Sequence, residues 1–186
     1  MIFNLSYLKH TATAFIAVAV CVLSACSGNM ETNDVPVDST SPTLRALEVS
    51  TVISDSGVTR YRATTPEWLI FNSVSNPYWS FPKGLRIEQF DTHMETEANI
   101  YCDQAHYDVH LKLWRLDGNV KVTNRKGEKF ETDQLFWDQE NAKVYSDKKI
   151  KIQQPSCILT GQGFVSNETM THYEIRRPEG IIPISD

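Results

Sequence analysis

The stretch Asp133-Gln134-Leu135-Phe136-Trp137-Asp138, "DQLFWD", repeats thirty residues on the phrase Asp103-Gln104-Ala105-His106-Tyr107-Asp108, "DQAHYD". The correspondence continues at the same offset: Asp117 aligns with Asp147, Val120 with Ile150, Lys121 with Lys151 and Val122 with Ile152. "YDVHLKLWRLDGNVKV" and "WDQENAKVYSDKKIKI" therefore share one order: aromatic-Asp, variable residues, a turn, then apolar-Lys-apolar. A repeat of this period marks stacked supersecondary units, none of which buries its apolar face alone.

Period-two alternation fills the repeat. In "NVKVTN" the valines share parity against Lys121 and Thr123, and in "KIKIQ" the isoleucines do so against Lys149, Lys151 and Gln153. Each strand thus has one apolar and one lysine-rich face. Turn signals separate the strands: "LDGN" (Leu116–Asn119), "NRKGEK" (Asn124–Lys129), "DQEN" (Asp138–Asn141), "SDKK" (Ser146–Lys149) and "GQG" (Gly161–Gly163). Upstream, "VTRYRATTPEWLIF" reads as a strand leading into a turn at Pro66. "NPYWSFPKGLRIEQF" bends at Asn76-Pro77, Phe81-Pro82 and Lys83-Gly84 before the strand "LRIEQF". No run of ten residues keeps a 3.6 period. The pattern predicts an all-β domain of strands five to eight residues long, as a sandwich, barrel or strand solenoid.

The 186 residues have room for one domain and carry a formal charge of −5. Residues 1–25 hold one charge, Lys9, so the remainder is slightly more acidic and offers no basic face for nucleic acid. "TATAFIAVAVCVLSA" (Thr11–Ala25) is uncharged and shorter than the roughly 20 residues that span a bilayer. It fits the apolar core of a signal peptide. Leu23-Ser24-Ala25-Cys26 resembles a lipobox, which makes Cys26 the lipid-attachment residue; an uncleaved single-span anchor and ordinary cleavage are the alternatives. Residues 26–43 read as a flexible tether, 44–180 as the β domain and 181–186 as a tail. Cys102 and Cys157 remain in the mature body, where an oxidising compartment permits a disulfide and burial as small hydrophobes is the other reading.

Taken in order, Ala105-x-Tyr107, Leu111–Leu113, Gly118-Asn119-Val120-x-Val122, Gly127, "FETDQLFWD", "VYSDKKIKI" and Gly161-x-Gly163-Phe164 resemble the OstA-like repeats of lipopolysaccharide-export proteins. With the membrane-directed start, "YRATTPEW" and "FPKGLRIEQFD", the chain is similar to the LptC family from about Val52 to Tyr173, and its lipoprotein-type start resembles the Bacteroidetes version. The resemblance implies a twisted, V-shaped, open β-jellyroll with two sheets parted along one side. It also implies acyl chains in the groove, docking on the periplasmic domains of the export ABC transporter, and transfer to an LptA-like bridge from the inner-membrane side of the periplasm. It implies no cofactor and no chemistry; the chain holds no GxxxxGK[ST] loop, so energy comes from a partner.

The groove residues read from alternation are Tyr107, Leu111, Leu113, Val120, Val122, Phe130, Leu135, Trp137, Val144, Ile150, Ile152 and Leu159. For any one of them ordinary core packing is the competing reading. On the groove reading, Asp at Val122 or Ile152 blocks lipid capture and leaves the β-sheet standing. Lys121, Lys149, Lys151, Arg176 and Arg177 either meet lipid phosphates at the rim or blunt strand edges.

Other constellations carry less. Cys102-x3-His106-x3-His110 has zinc-type ligands, but at a helical spacing in a segment that reads as strand, and the second repeat has Thr132, Phe136 and Glu140 there. The pairs Asp91/Glu95 and Asp138/Glu140 lack a cleft between them, so neither metal nor catalytic residues are assigned. Asn167-Glu168-Thr169 is an incidental sequon. The rival to a lipid carrier is an adaptor with sheets packed shut, binding envelope proteins through its edge strands.

Overall fold

Each strand in the computed structural model, which describes residues 41–183 except Ser56 and Ser73, pairs with its neighbour in sequence. The strands are β1 (Leu44–Asp55), β2 (Val58–Phe71), β3 (Tyr78–Phe81), β4 (Leu85–Phe90), β5 (Thr96–Cys102), β6 (Gln104–Asp108), β7 (Leu113–Asn124), β8 (Lys129–Asp138), β9 (Lys143–Gln153), β10 (Cys157–Asn167) and β11 (Tyr173–Pro183). No described residue is helical, and every ladder is antiparallel. β3 and β4 are two halves of one kinked strand, since both pair with β2: Leu69 with Ser80, and Tyr61 with Gln89. β5 and β6 are likewise both partners of β7. The expected all-β jellyroll is present, as one continuous meander.

Several strands are longer than the sequence reading suggested, because three of its turn signals lie inside strands. "LDGN" is a bulge in β7, where Gly118 (φ 75°) and Asn119 (φ 45°) are left-handed and the register with β8 shifts between Asp117 and Val120. "SDKK" lies within β9 and "GQG" within β10. A left-handed residue inserts a bulge, rather than reversing the chain, when both neighbours continue the ladder. Pro66 likewise sits inside β2 instead of turning it. The pairs on either side are Leu47–Glu67 and Val49–Thr65, and Glu48 opposite adopts φ 50°, so the ladder skips the residue without an N–H. At the other end β11 runs to Pro183, so part of the expected tail is paired strand.

The thirty-residue repeat is a stacked pair of turns. Asp108 Oδ1 accepts the Leu111 N–H at 2.8 Å, and Asp138 Oδ1 accepts the Asn141 N–H at 3.0 Å. Lys112 and Ala142 follow, both at φ 49°. The Gln139 N–H donates to the Lys112 carbonyl, joining one turn to the next. Aromatic-Asp is thus the last inward side chain of a strand plus the carboxylate that closes its turn. Leu111 belongs to the first of these turns and is 60% exposed, so it is not a wall residue; the hairpin ended the alternation that assigned it.

The meander rolls up on itself. Tyr61 of β2 and Trp137 of β8 lie four strand steps apart, about 19 Å in a flat sheet at the usual spacing. Their ring centroids are 5.4 Å apart. Mid-strand kinks produce the roll: at Gly84 (φ 99°) the chain turns between β3 and β4, and the Thr65 hydroxyl holds the Gly84 carbonyl at 2.7 Å.

Candidate functional site

Cross-strand register converts the roll into inward-facing rows. One runs through nine strands: Thr51, Ala63, Ile87, Ile100, Val122, Phe130, Ile152, Leu159 and Ile181. A second, aromatic row passes through Trp79, Tyr107, Trp114 and Trp137 to Val144. Between them lie Leu116 paired with Leu135, and Val120 and Ile150 on either side of Thr132. Of the twelve groove residues read from the sequence, these rows unite all but Leu111 and Leu113, which is half-buried at the start of β7.

The aliphatic row is dry in the middle and wet at its end. Val122 is 2% exposed and Ile152 0%, whereas Leu159 is half-buried and Ile181 is 70% exposed. At that end Leu159, Tyr173, Ile175, Pro178 and Ile181 line an open pocket of about 260 Å³, close to the lower bound for small-molecule sites. A smaller apolar space, about 20 Å³, lies at the aromatic end, where Thr51, Ala63 and Thr65 join Val49, Ile53, Trp68, Trp79, Phe81 and Trp114 in its wall. The centre is filled by its own side chains. An aspartate at Val122 or Ile152 therefore strikes the core before any cargo, which corrects the expectation of a selective effect there.

Polar groups hold the ends. Glu128 is buried and accepts hydrogen bonds from Asn124 Nδ2 (2.7 Å), Gln154 Nε2 (3.0 Å) and the Tyr173 hydroxyl (3.2 Å). Burial first, then Glu128, pushes the Tyr173 pKa up, so the phenol stays protonated and keeps donating. Tyr173 meets Phe130 edge-on at 5.1 Å, which joins this network to the aliphatic row. Near the other end Glu67 is held by Lys83 Nζ at 3.0 Å and Arg45 Nε at 2.6 Å. Lys83 first, then Arg45, lowers the Glu67 pKa below its ordinary 4.5.

A lowered folded-state pKa means the contribution of Glu67 is complete above pH 4.5 and is lost as pH falls through the lower folded value. Glu67→Gln is expected to lower Tm at pH 7, with the gap to wild type closing as pH falls below 4.5 and on through the lower folded-state value. Thermal melts from pH 7 to 3 check this; a gap independent of pH shows that the ion pairs with β1 and the kink contribute nothing.

The outer face is polar. Lys149 pairs with Glu179 at 3.6 Å, Lys151 with Glu131 at 3.2 Å, and Arg176 with Asp147. Lys121 and Lys151 stand in register on either side of Glu131. These lysines occupy the back of the sheet, opposite the apolar rows, rather than a groove rim. Cys102, His106 and His110 do not converge: Cys102 is inside, His106 is outside and stacked on Tyr78, and His110 is in a turn. Among the described residues no three His, Cys, Asp or Glu gather as a metal site. Cys102 and Cys157 are both free thiols, and burial pushes the Cys102 pKa up to about 12, which leaves it a packing residue. Cys26 lies outside the described residues.

One signal in the sequence went unread. Asp91, Asn124 and Asn167 each open a turn in which the side-chain Oδ1 accepts two backbone N–H groups, with Met94, Gly127 or Met170 left-handed three residues on. Two of those positions carry Met, so a search for glycine passes them by.

A rolled antiparallel meander around continuous apolar rows, polar outside and open at one end, defines a β-jellyroll of the OstA-like kind. The family described as lipopolysaccharide-assembly, LptC-related, matches residues 11–176. The chain belongs to the LptC family. Membership assigns it to lipopolysaccharide transport, in a transport-associated rather than enzymatic family, and goes with a periplasmic, inner-membrane-associated location. Among curated proteins nothing matches. Among the described residues no helix is long and apolar enough to cross a membrane.

Proposed function

We propose that the chain is a tethered periplasmic station that receives lipopolysaccharide acyl chains from the export transporter into its rolled interior and passes them to an LptA-like bridge. The observation that carries this reading is the aliphatic row, which crosses the whole sheet and emerges at the Leu159–Ile181 pocket. Shielding acyl chains from water is worth about 0.8 kcal/mol per methylene, and a row of side chains of the same chemistry exchanges one apolar contact for another. The filled centre implies that loading parts the two walls. Among the described residues β1 and β11 each pair along one edge, and strand addition there from the transporter's periplasmic domains and from the bridge extends both sheet and groove. Anchoring is through Cys26, or through an uncleaved segment within residues 1–25.

The adaptor reading has one observation in its favour. The interior is closed, while β1 exposes Leu44, Leu47, Val52 and Ile53 along its length. Photocrosslinking in cells, with the probe at Ile152, Leu159 or Leu47, separates the two. Lipopolysaccharide adducts from Ile152 and Leu159, with protein adducts from Leu47, are expected. Protein adducts from Leu47 and no lipid from either interior position leave the adaptor.

A further inference from the structure

Two indole N–H groups, Trp68 Nε1 and Trp114 Nε1, are buried and have no hydrogen-bond partner. Both residues line the small cavity at the aromatic end of the interior. Trp114 is 5% exposed. Phe81 stacks on both indoles, at 5.6 Å from each. The rest of the cavity wall is Val49, Thr51 and Ile53 of β1, Ala63 and Thr65 of β2, and Trp79; the Thr65 hydroxyl already donates to the Gly84 carbonyl. A buried donor without a partner forfeits its hydration, and an apolar side chain there would cost nothing of that kind. Trp137 shows the alternative, since its Nε1 donates to Glu168 Oε1 at 2.7 Å.

We infer that Trp68 and Trp114 form a hydrogen-bonding subsite for neutral oxygen acceptors on a bound acyl chain, its carbonyl and the oxygen at its β-carbon. An indole can only donate, so the ligand atom must accept. The cavity wall brings no cation, so the acceptor is a hydroxyl, ester or amide oxygen rather than a carboxylate or phosphate. Aromatic faces cover the hydrocarbon on either side. β1 forms the lid: among the described residues it is paired along one edge, with β2, and yields without breaking a central ladder. The subsite rests on the lipid-carrier reading and adds selection to it: the interior prefers β-oxygenated acyl chains to plain ones.

The test uses the full chain with tryptophan labelled by nitrogen-15 and two probes, methyl 3-hydroxytetradecanoate and methyl tetradecanoate. The hydroxylated ester is expected to bind about fivefold more tightly, the value of one net hydrogen bond. It should move the indole resonances of Trp68 and Trp114 while Trp137 stays put. Replacing both residues by phenylalanine (Trp68→Phe with Trp114→Phe) should bring the two esters to parity. Equal indole shifts with both esters, or none, overturn the subsite, as does a preference that survives the double substitution. If that variant does not fold, the wild-type resonances decide. Binding of both esters with equal affinity sinks the subsite alone; binding of neither sinks the carrier reading with it.

Discussion

Ile152→Asp is expected to abolish the cooperative thermal transition of the β domain, or to lower its Tm by more than about 15 °C. Ile152 is 0% exposed and lies in register between Phe130 and Leu159, deep in the aliphatic row. Substitution removes about 1.5–3 kcal/mol of apolar transfer. It also strands a carboxylate with no cation on its face of the sheet, because Lys149 and Lys151 point to the opposite one; an uncompensated buried charge costs several kcal/mol more. Against a total stability of about 5–15 kcal/mol, that sum dominates. Thermal circular dichroism on the variant measures it. A melt within a few degrees of wild type would mean that water already reaches Ile152, and the walls would then stand open in solution without cargo.

Alternation at the lysine–apolar stretches made the inner and outer faces legible, because parity needs only that a strand stay straight for four residues. Val120, Val122, Ile150 and Ile152 all lie inside for that reason. Strand length was less legible: Gly118-Asn119 and Gly161-x-Gly163 look locally like reversals. Whether a left-handed residue turns the chain or bulges it depends on the ladders on either side, which are non-local. The same limit misplaced Leu111, four residues beyond an aromatic-Asp whose carboxylate had already begun the turn. The aromatic end escaped notice for another reason. Trp68, Trp79 and Phe81 come from strands that read as punctuated by proline, yet the ladder through β2 skips Pro66 and sets Trp68 against Trp79 and Phe81, which in turn meet Trp114. Which face is apolar is a local property; how far the walls part is a property of the whole roll.

The open end of the row separates cargo from core. Ile181→Asp with Leu159→Asp is expected to leave Tm within a few degrees of wild type, since Ile181 is 70% exposed and Leu159 half-buried beside it. The same pair should cut lipopolysaccharide capture by the purified protein more than tenfold. Two carboxylates at the pocket lined by Tyr173 and Ile175 oblige a passing acyl chain either to leave them unhydrated or to keep its own methylenes in water. Losing two or more buried methylenes at about 0.8 kcal/mol each already exceeds the 1.4 kcal/mol of a tenfold change. Leu159→Met with Ile181→Leu keeps the pocket apolar and should bind as wild type does. Measuring capture in purified protein matters because β11 is also a free edge, where a charge would disturb strand addition by a bridge protein as well. Undiminished capture by the acidic variant would exclude this end as the mouth and direct the search to the β1 side, where the lid over the aromatic cavity is the other strand with one partner.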